Sequence, residues 1–134
     1  DNPNKFVPSV IQQLLNNEKI FLTSGEQKRD FIYCKDVVDL YKYAINNIDL
    51  FDYTTISVGT GKTRTIKNFV KNVRNIISSK SDLVFGALEQ RGGEILESYA
   101  DATYLEKIGW KPGYTFEKAL TETIQYEKLR KGIN

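Results

Sequence analysis

The sequence contains no His, no Met and a single Cys in 134 residues. Without His, a Ser-His-Asp or Cys-His centre and any His-bearing zinc site are excluded from this chain. One Cys cannot form an internal disulfide, which fits a reducing compartment. No apolar run approaches the roughly 18–20 residues that span a bilayer, and the first residues lack the apolar stretch of a signal peptide. An excess of one charge is also missing: 19 Lys and Arg stand against 17 Asp and Glu, a formal net charge of +2. That balance argues against an electrostatic nucleic-acid footprint. The missing Met, with a start at Asp1-Asn2-Pro3, reads as a processed product or a piece of something longer.

What is present is an ordinary globular composition, 40% hydrophobic and 12% aromatic, at a length suited to one domain. Val7, Val10, Ile11, Leu14 and Leu15 recur at helical spacing and predict a helix over roughly residues 5–17, with Pro8 in its first turn. Ile20-Phe21-Leu22 and Phe31-Ile32-Tyr33-Cys34 read as strands. Asp36 is placed as the N-cap of a helix facing inward through Val37, Tyr41, Ala44, Ile45 and Ile48. Thr55–Val58 reads as a strand broken by Gly59-Thr60-Gly61. Thr65 then caps a helix with Ile66, Phe69, Val70, Val73, Ile76 and Ile77 on one stripe. Leu83-Val84-Phe85 is a further strand. Asp101 caps a short helix that stops at Gly109, and Thr115 opens the last helix, with Phe116, Ala119, Leu120, Thr123 and Ile124 inward. The alternation predicts an α/β layer structure with part of its pairing parallel.

Several motifs begin and do not complete. Gly61-Lys62-Thr63 ends like a phosphate-binding P-loop, but the first glycine of that spacing falls on Ile56. Gly59-x-Gly61 opens like a dinucleotide fingerprint, but Arg64 stands where the third glycine belongs. The simpler reading is a tight turn between strand and helix. Tyr114 and Lys118 match a Tyr-x-x-x-Lys spacing, yet Tyr114 precedes the helix cap and does not share a face with Lys118. Lys5, Lys19, Lys28 and Arg29 are by default a solvated charged set. Arg29, held between a polar turn and a strand, suits a specific anion contact, because guanidinium reads phosphate bidentately. Arg91-Gly92-Gly93-Glu94 is either a local ion pair or a ligand loop with close backbone access.

Taken together, these residues resemble a family. Lys28-Arg29-Asp30-Phe31-Ile32-Tyr33-x-x-Asp36-Val37-Val38 is similar to the Arg-Asp-aromatic-Ile signature of extended short-chain dehydrogenases, the NAD(P)-dependent nucleotide-sugar epimerases, dehydratases and reductases. Asn4-Lys5-Phe6-Val7-Pro8, Ile56 to Gly61, Arg91 to Glu94, Ala100-Asp101 and Leu105-x-x-x-Gly109-Trp110-x-Pro112 follow in the family's order. The resemblance covers essentially the whole of 1–134 and implies the C-terminal substrate-binding part of a Rossmann-type enzyme. That part would include elements completing the cofactor-domain sheet, and the piece from Phe85 to Ile95 most resembles CDP-linked deoxysugar synthases. The family's cofactor loop and catalytic Tyr-x-x-x-Lys precede such a portion. The resemblance therefore assigns no catalytic, cofactor-binding or metal residue here and implies no turnover by the chain alone.

Carried over by position, the resemblance puts Lys5 near a diphosphate, Phe6, Phe21 and Leu22 against the base, Arg29 and Arg91 on phosphates, and Glu94 on ribose hydroxyls. It implies NAD or NADP for the full-length enzyme, a nucleoside-diphosphate sugar as ligand, a homodimer, a cytoplasmic location, and neither nucleic-acid nor membrane partners. Ser57 stands where relatives commonly carry Asn, Leu22 where many carry an aromatic, and Cys34 where Val is usual. Cys34 reads as a small buried hydrophobe. The residues alone leave open a stand-alone nucleotide-binding module, or a structural α/β domain.

Overall fold

A computed structural model describes residues 5–51 and 55–133, so Asn4 lies outside the described residues. Apolar stripes and threonine caps set its helices. Phe6–Leu15 forms α1, with Pro8 in the first turn, where its missing N–H has no intrahelical partner to lose. Ile66–Ile77 forms the helix after the Gly59–Gly61 turn, and the Thr65 hydroxyl accepts from the N–H of Asn68 at its start. Phe116–Arg130 ends the fold, and Thr115 accepts likewise from the N–H of Lys118. With Cys34–Asn46 as α2 and Thr103–Lys107 as α4, these last two are α3 and α5. Helices α1, α3 and α5 pack on one another and enclose Ile11, Leu14, Val70, Val73, Leu120 and Ile124. Each such side chain contributes about 1.5–3 kcal/mol when fully withdrawn from water.

Two small sheets line this helical layer. Ile20–Phe21 (β1) pairs in parallel with Leu83–Val84 (β4). Lys28–Asp30 (β2) runs antiparallel to Thr63–Thr65 (β3) and parallel to Glu97–Ser98 (β5), giving the order β3-β2-β5. The α/β class with partly parallel pairing is therefore present.

The local assignments differ in several places. Residues 31–33 are not a strand. The ring of Phe31 instead stacks on Phe69 with centroids 4.4 Å apart, and Cys34 already begins α2. The strand is the polar run before it, Lys28–Asp30, held on both sides by backbone bonding that carries no hydrophobic signal. Residues 55–58 form no strand, because no neighbouring strand pairs with them among the described residues. Cys34 is exposed rather than buried.

Helix α2 also turns a different face inward. Asp36 is not its cap; Tyr33 occupies that position. The Asp36 carboxylate is buried and accepts from the N–H groups of Gly113 (2.7 Å) and Tyr114 (3.3 Å). Leu40 packs with Leu105 and Trp110 in a second apolar cluster, and the Tyr43 hydroxyl donates to the Ile108 carbonyl. The helix α4 stops at Gly109, whose φ of +89° suits a residue without Cβ. Turning Asp36 and Tyr43 inward satisfies three backbone groups and leaves Val38, Tyr41, Ile45 and Ile48 facing out.

Asp30, at the end of β2, gathers distant segments. It accepts from the N–H groups of Thr60 (2.9 Å), Gly61 (2.9 Å) and Ala100 (3.4 Å), and from the Thr60 hydroxyl. A Cβ on Gly59 would lie 2.5 Å from Asp30 Oδ2 and from the Ala100 methyl, so this close approach needs glycine.

Candidate functional site

The C-terminal ends of β1 and β2, the start of α1 and the loop before β5 surround a cleft of about 790 Å³. The assigned residues reach it from four separate segments. The α1 start provides Lys5 and Phe6, β1 and its end provide Phe21 and Leu22, β2 provides Arg29, and the loop provides Arg91 and Glu94. Every residue that the resemblance assigned to ligand binding thus lines one cavity. Phe21 is half exposed and Phe6 is 37% exposed, while Leu22 is buried and forms a rigid part of the wall. The Phe6 ring backs on Phe69, centroids 5.7 Å apart, and so stands on the main core.

Lys5, Arg29, Arg91, Glu89 and Glu94 are the charged residues of its lining. Arg29 donates from Nη1 to the Lys28 carbonyl at 2.8 Å, and its Nη2 lies 3.3 Å from Glu94 Oε1. Glu94 therefore pairs with Arg29, sixty-five residues away, and not with its neighbour Arg91. Between Arg91 and Glu94 the tie is through the backbone, the Glu94 N–H donating to the Arg91 carbonyl at 3.2 Å. Arg29 and Glu94 form a partly exposed ion pair, of the kind worth about 1 kcal/mol or less.

A residue that the sequence reading missed belongs to the same wall. Gln27 is 5% exposed; its Nε2 donates to Thr23 Oγ1 at 3.0 Å and to both Glu94 oxygens at 3.3 Å. Its Oε1 is buried and has no hydrogen-bond partner among the described residues. A buried carbonyl left unbonded costs about 1–3 kcal/mol. The available signal was position: Gln27 stands two residues before Arg29 in extended chain, where alternate residues share a face. A neutral amide has no place in a charge motif, and that hid it.

The turn Gly59-Thr60-Gly61 does not fit a dinucleotide pyrophosphate. The N–H groups of Thr60 and Gly61, which would cradle a phosphate, are already taken by the Asp30 carboxylate. Tyr114 and Lys118 also fail as a proton-transfer pair, since the Lys118 ammonium sits over the Tyr114 ring, 4.9 Å from its centroid.

A second hollow, about 910 Å³, lies between the α1 start, residues 32–35 and α5. None of the assigned residues lines it. There Glu122 accepts from the Lys35 ammonium at 2.6 Å and from the Tyr33 hydroxyl at 3.0 Å. The bond from Lys35 holds the Glu122 carboxyl below its ordinary range and pushes the Lys35 ammonium up to about 12. Burial, with the same carboxylate, raises the Tyr33 phenol. Among the described residues no His, Cys, Asp or Glu group could hold a metal ion, and no helix is long and apolar enough to cross a membrane.

Residues 1–59 match the model of the NAD dependent epimerase/dehydratase family. Over 129 residues the chain is 37% identical to the CDP-abequose synthase of Salmonella typhimurium, spanning 93% of this chain and 43% of that protein. The CDP-abequose synthase of Salmonella muenchen is 33% identical over 128 residues, 96% of this chain and 44% of the relative. Among solved structures, the UDP-N-acetylglucosamine 4-epimerase of Methanobrevibacter ruminantium, in complex with UDP-N-acetylmuramic acid, has a TM-score of 0.82 at 31% identity. That match covers 96% of this chain and 42% of the epimerase. The UDP-glucose 4-epimerase of Thermotoga maritima, with UDP-glucose, reaches 0.81 at 26% identity over 94% of this chain and 39% of its own. The chain spans less than half the length of the curated relatives it matches. Sequence and fold agree along nearly its whole length: the chain is similar to members of the NAD dependent epimerase/dehydratase family, whose model matches residues 1–59, and has the fold of the C-terminal part of Rossmann-type extended short-chain dehydrogenases.

Proposed function

We propose that the cleft binds the nucleoside diphosphate of a nucleotide sugar, and that 1–134 is the sugar-nucleotide-binding portion of a longer NAD(P)-dependent epimerase, dehydratase or reductase. The observation that carries this reading is the convergence of Lys5, Phe6, Phe21, Leu22, Arg29, Arg91 and Glu94, from four distant segments, on one cavity. Their chemistry is complementary to that ligand. Arg29, Arg91 and Lys5 neutralise the diphosphate, the Phe6, Phe21 and Leu22 surface packs on the base, and Glu94 accepts from ribose hydroxyls. On binding, Arg29 exchanges its contact with Glu94 for phosphate oxygens, which frees the carboxylate for the ribose.

NAD or NADP would supply hydride transfer at the sugar in the complete enzyme. Its site lies in the remainder of that enzyme, since the glycine turn of this chain is already filled by Asp30. By the same family likeness the complete enzyme is a cytoplasmic homodimer. The chain alone is expected to turn over no sugar nucleotide, and a substrate-dependent change in nicotinamide absorbance would show otherwise. Calorimetry with CDP-, UDP- and dTDP-sugars tests binding directly. Arg29→Ala and Arg91→Ala should each weaken it by about tenfold or more, as the loss of a charge-assisted contact to phosphate requires. Unchanged affinity in both variants places the ligand elsewhere.

A further inference from the structure

We propose that Gln27 is the positioning residue of this cleft, and that by orienting Glu94 it sets the preference for a ribose over a 2′-deoxyribose. The inference rests on the nucleotide reading above and deepens it. The loop that carries Glu94 has little of its own to hold it. A Cβ built on Gly92 or Gly93 meets nothing within 4 Å, and Gly93 has a φ of +75°. Residue 94 is tethered through its carboxylate, on one side by Arg29 and on the other by Gln27.

The two tethers differ in kind. Arg29 is the group that phosphate would recruit, so its hold on Glu94 is exchanged when ligand enters. Gln27 is buried, its Nε2 lies equidistant from both carboxylate oxygens, and a bond to Thr23 fixes the amide from behind. A carboxylate only accepts, so the amide must present nitrogen to it. That orientation leaves Oε1 buried and unbonded. The side chain thus adopts the orientation that serves Glu94, although its own carbonyl goes unsatisfied. With Arg29 drawn to phosphate, Gln27 alone keeps the carboxylate plane aimed into the cleft, where vicinal hydroxyls can donate to it.

The test compares CDP with 2′-deoxy-CDP, and UDP with 2′-deoxy-UDP, by calorimetry on the full chain and on Gln27→Met, Glu94→Ala and the double variant. Met keeps the volume and removes the donor. The wild-type chain should prefer the ribonucleotide by about tenfold, an ordinary effect of one hydrogen bond to a charged acceptor. In Gln27→Met the preference should fall to near unity, as in Glu94→Ala, with no further fall in the double variant. A side chain that merely fills space would weaken both nucleotides equally and leave the ratio intact; an intact ratio overturns the role of Gln27 while the nucleotide reading stands. A wild-type chain that binds none of the four overturns that reading, and this role with it. If Gln27→Met does not fold, the Gln27 side-chain amide protons decide by NMR. They should shift in Glu94→Ala, and unmoved resonances overturn the proposal.

Discussion

The cluster between α1, α3 and α5 is closed by the chain itself, whereas the one beneath α2 is closed on one side only. In the first, apolar stripes face one another and Ile11, Leu14, Val70 and Val73 have essentially no exposure. In the second, Leu40, Leu105 and Trp110 are buried, but α2 turns Tyr41 (69% exposed) and Ile45 (75%) to the outside. The first is held by packing. The second leans on directed polar bonds, from Asp36 to the turn before α5 and from Tyr43 to the end of α4. The cleft is built on the closed cluster, with Leu22 and Phe31 serving both wall and core and the Phe6 ring resting on Phe69. The cleft thus rests on the cluster whose central residues are the least exposed.

Breaking the closed cluster should have the largest effect. Phe69 stacks on Phe31 and touches Phe6 and Phe116 with its ring. Phe69→Ala should lower stability by about 3–5 kcal/mol in urea unfolding, and should weaken nucleotide binding because two cleft residues lose their backing. The open cluster should yield less. Asp36→Ala strands the N–H groups of Gly113 and Tyr114 and should cost about 1–3 kcal/mol, with binding at the cleft unchanged. Ile45→Glu, on the outward face of α2, should move the urea midpoint within the equivalent of about 0.5 kcal/mol. A larger loss there would mean that this face is covered in solution, and the contrast between the clusters would then vanish.

The residues that were legible in the sequence are those whose burial follows their polarity. Helices α1, α3 and α5 show as apolar stripes with Thr65 and Thr115 at their starts, because hydrophobic period and cap chemistry point the same way there. Helix α2 misleads because the order is reversed: a carboxylate and a phenol go inward for their hydrogen bonds, and Val38, Tyr41 and Ile45 stay out. The sheet of β2, β3 and β5 is equally hidden. Lys28, Arg29 and Asp30 are an unpromising strand by composition, and only the segments on both sides make them one. In the cleft, the charged and aromatic lining residues stand in motifs that the sequence displays. Gln27 does not, since its role comes from a carboxylate sixty-seven positions later.

Asp30 has a kinetic consequence. Its partners at Thr60 and Ala100 lie thirty and seventy positions along the chain. Its bonds can form only after those loops close, and loop closure opposes contacts of long separation early in folding. Helices α1 and α3 can form early through their local bonds, and the Asp30 junction can lock the sheet only after the loops to Thr60 and Ala100 have closed. Weakening that junction should therefore leave the refolding rate nearly untouched and appear as faster unfolding. The carboxylate that fills the glycine turn acts in this sense as a latch on the finished fold.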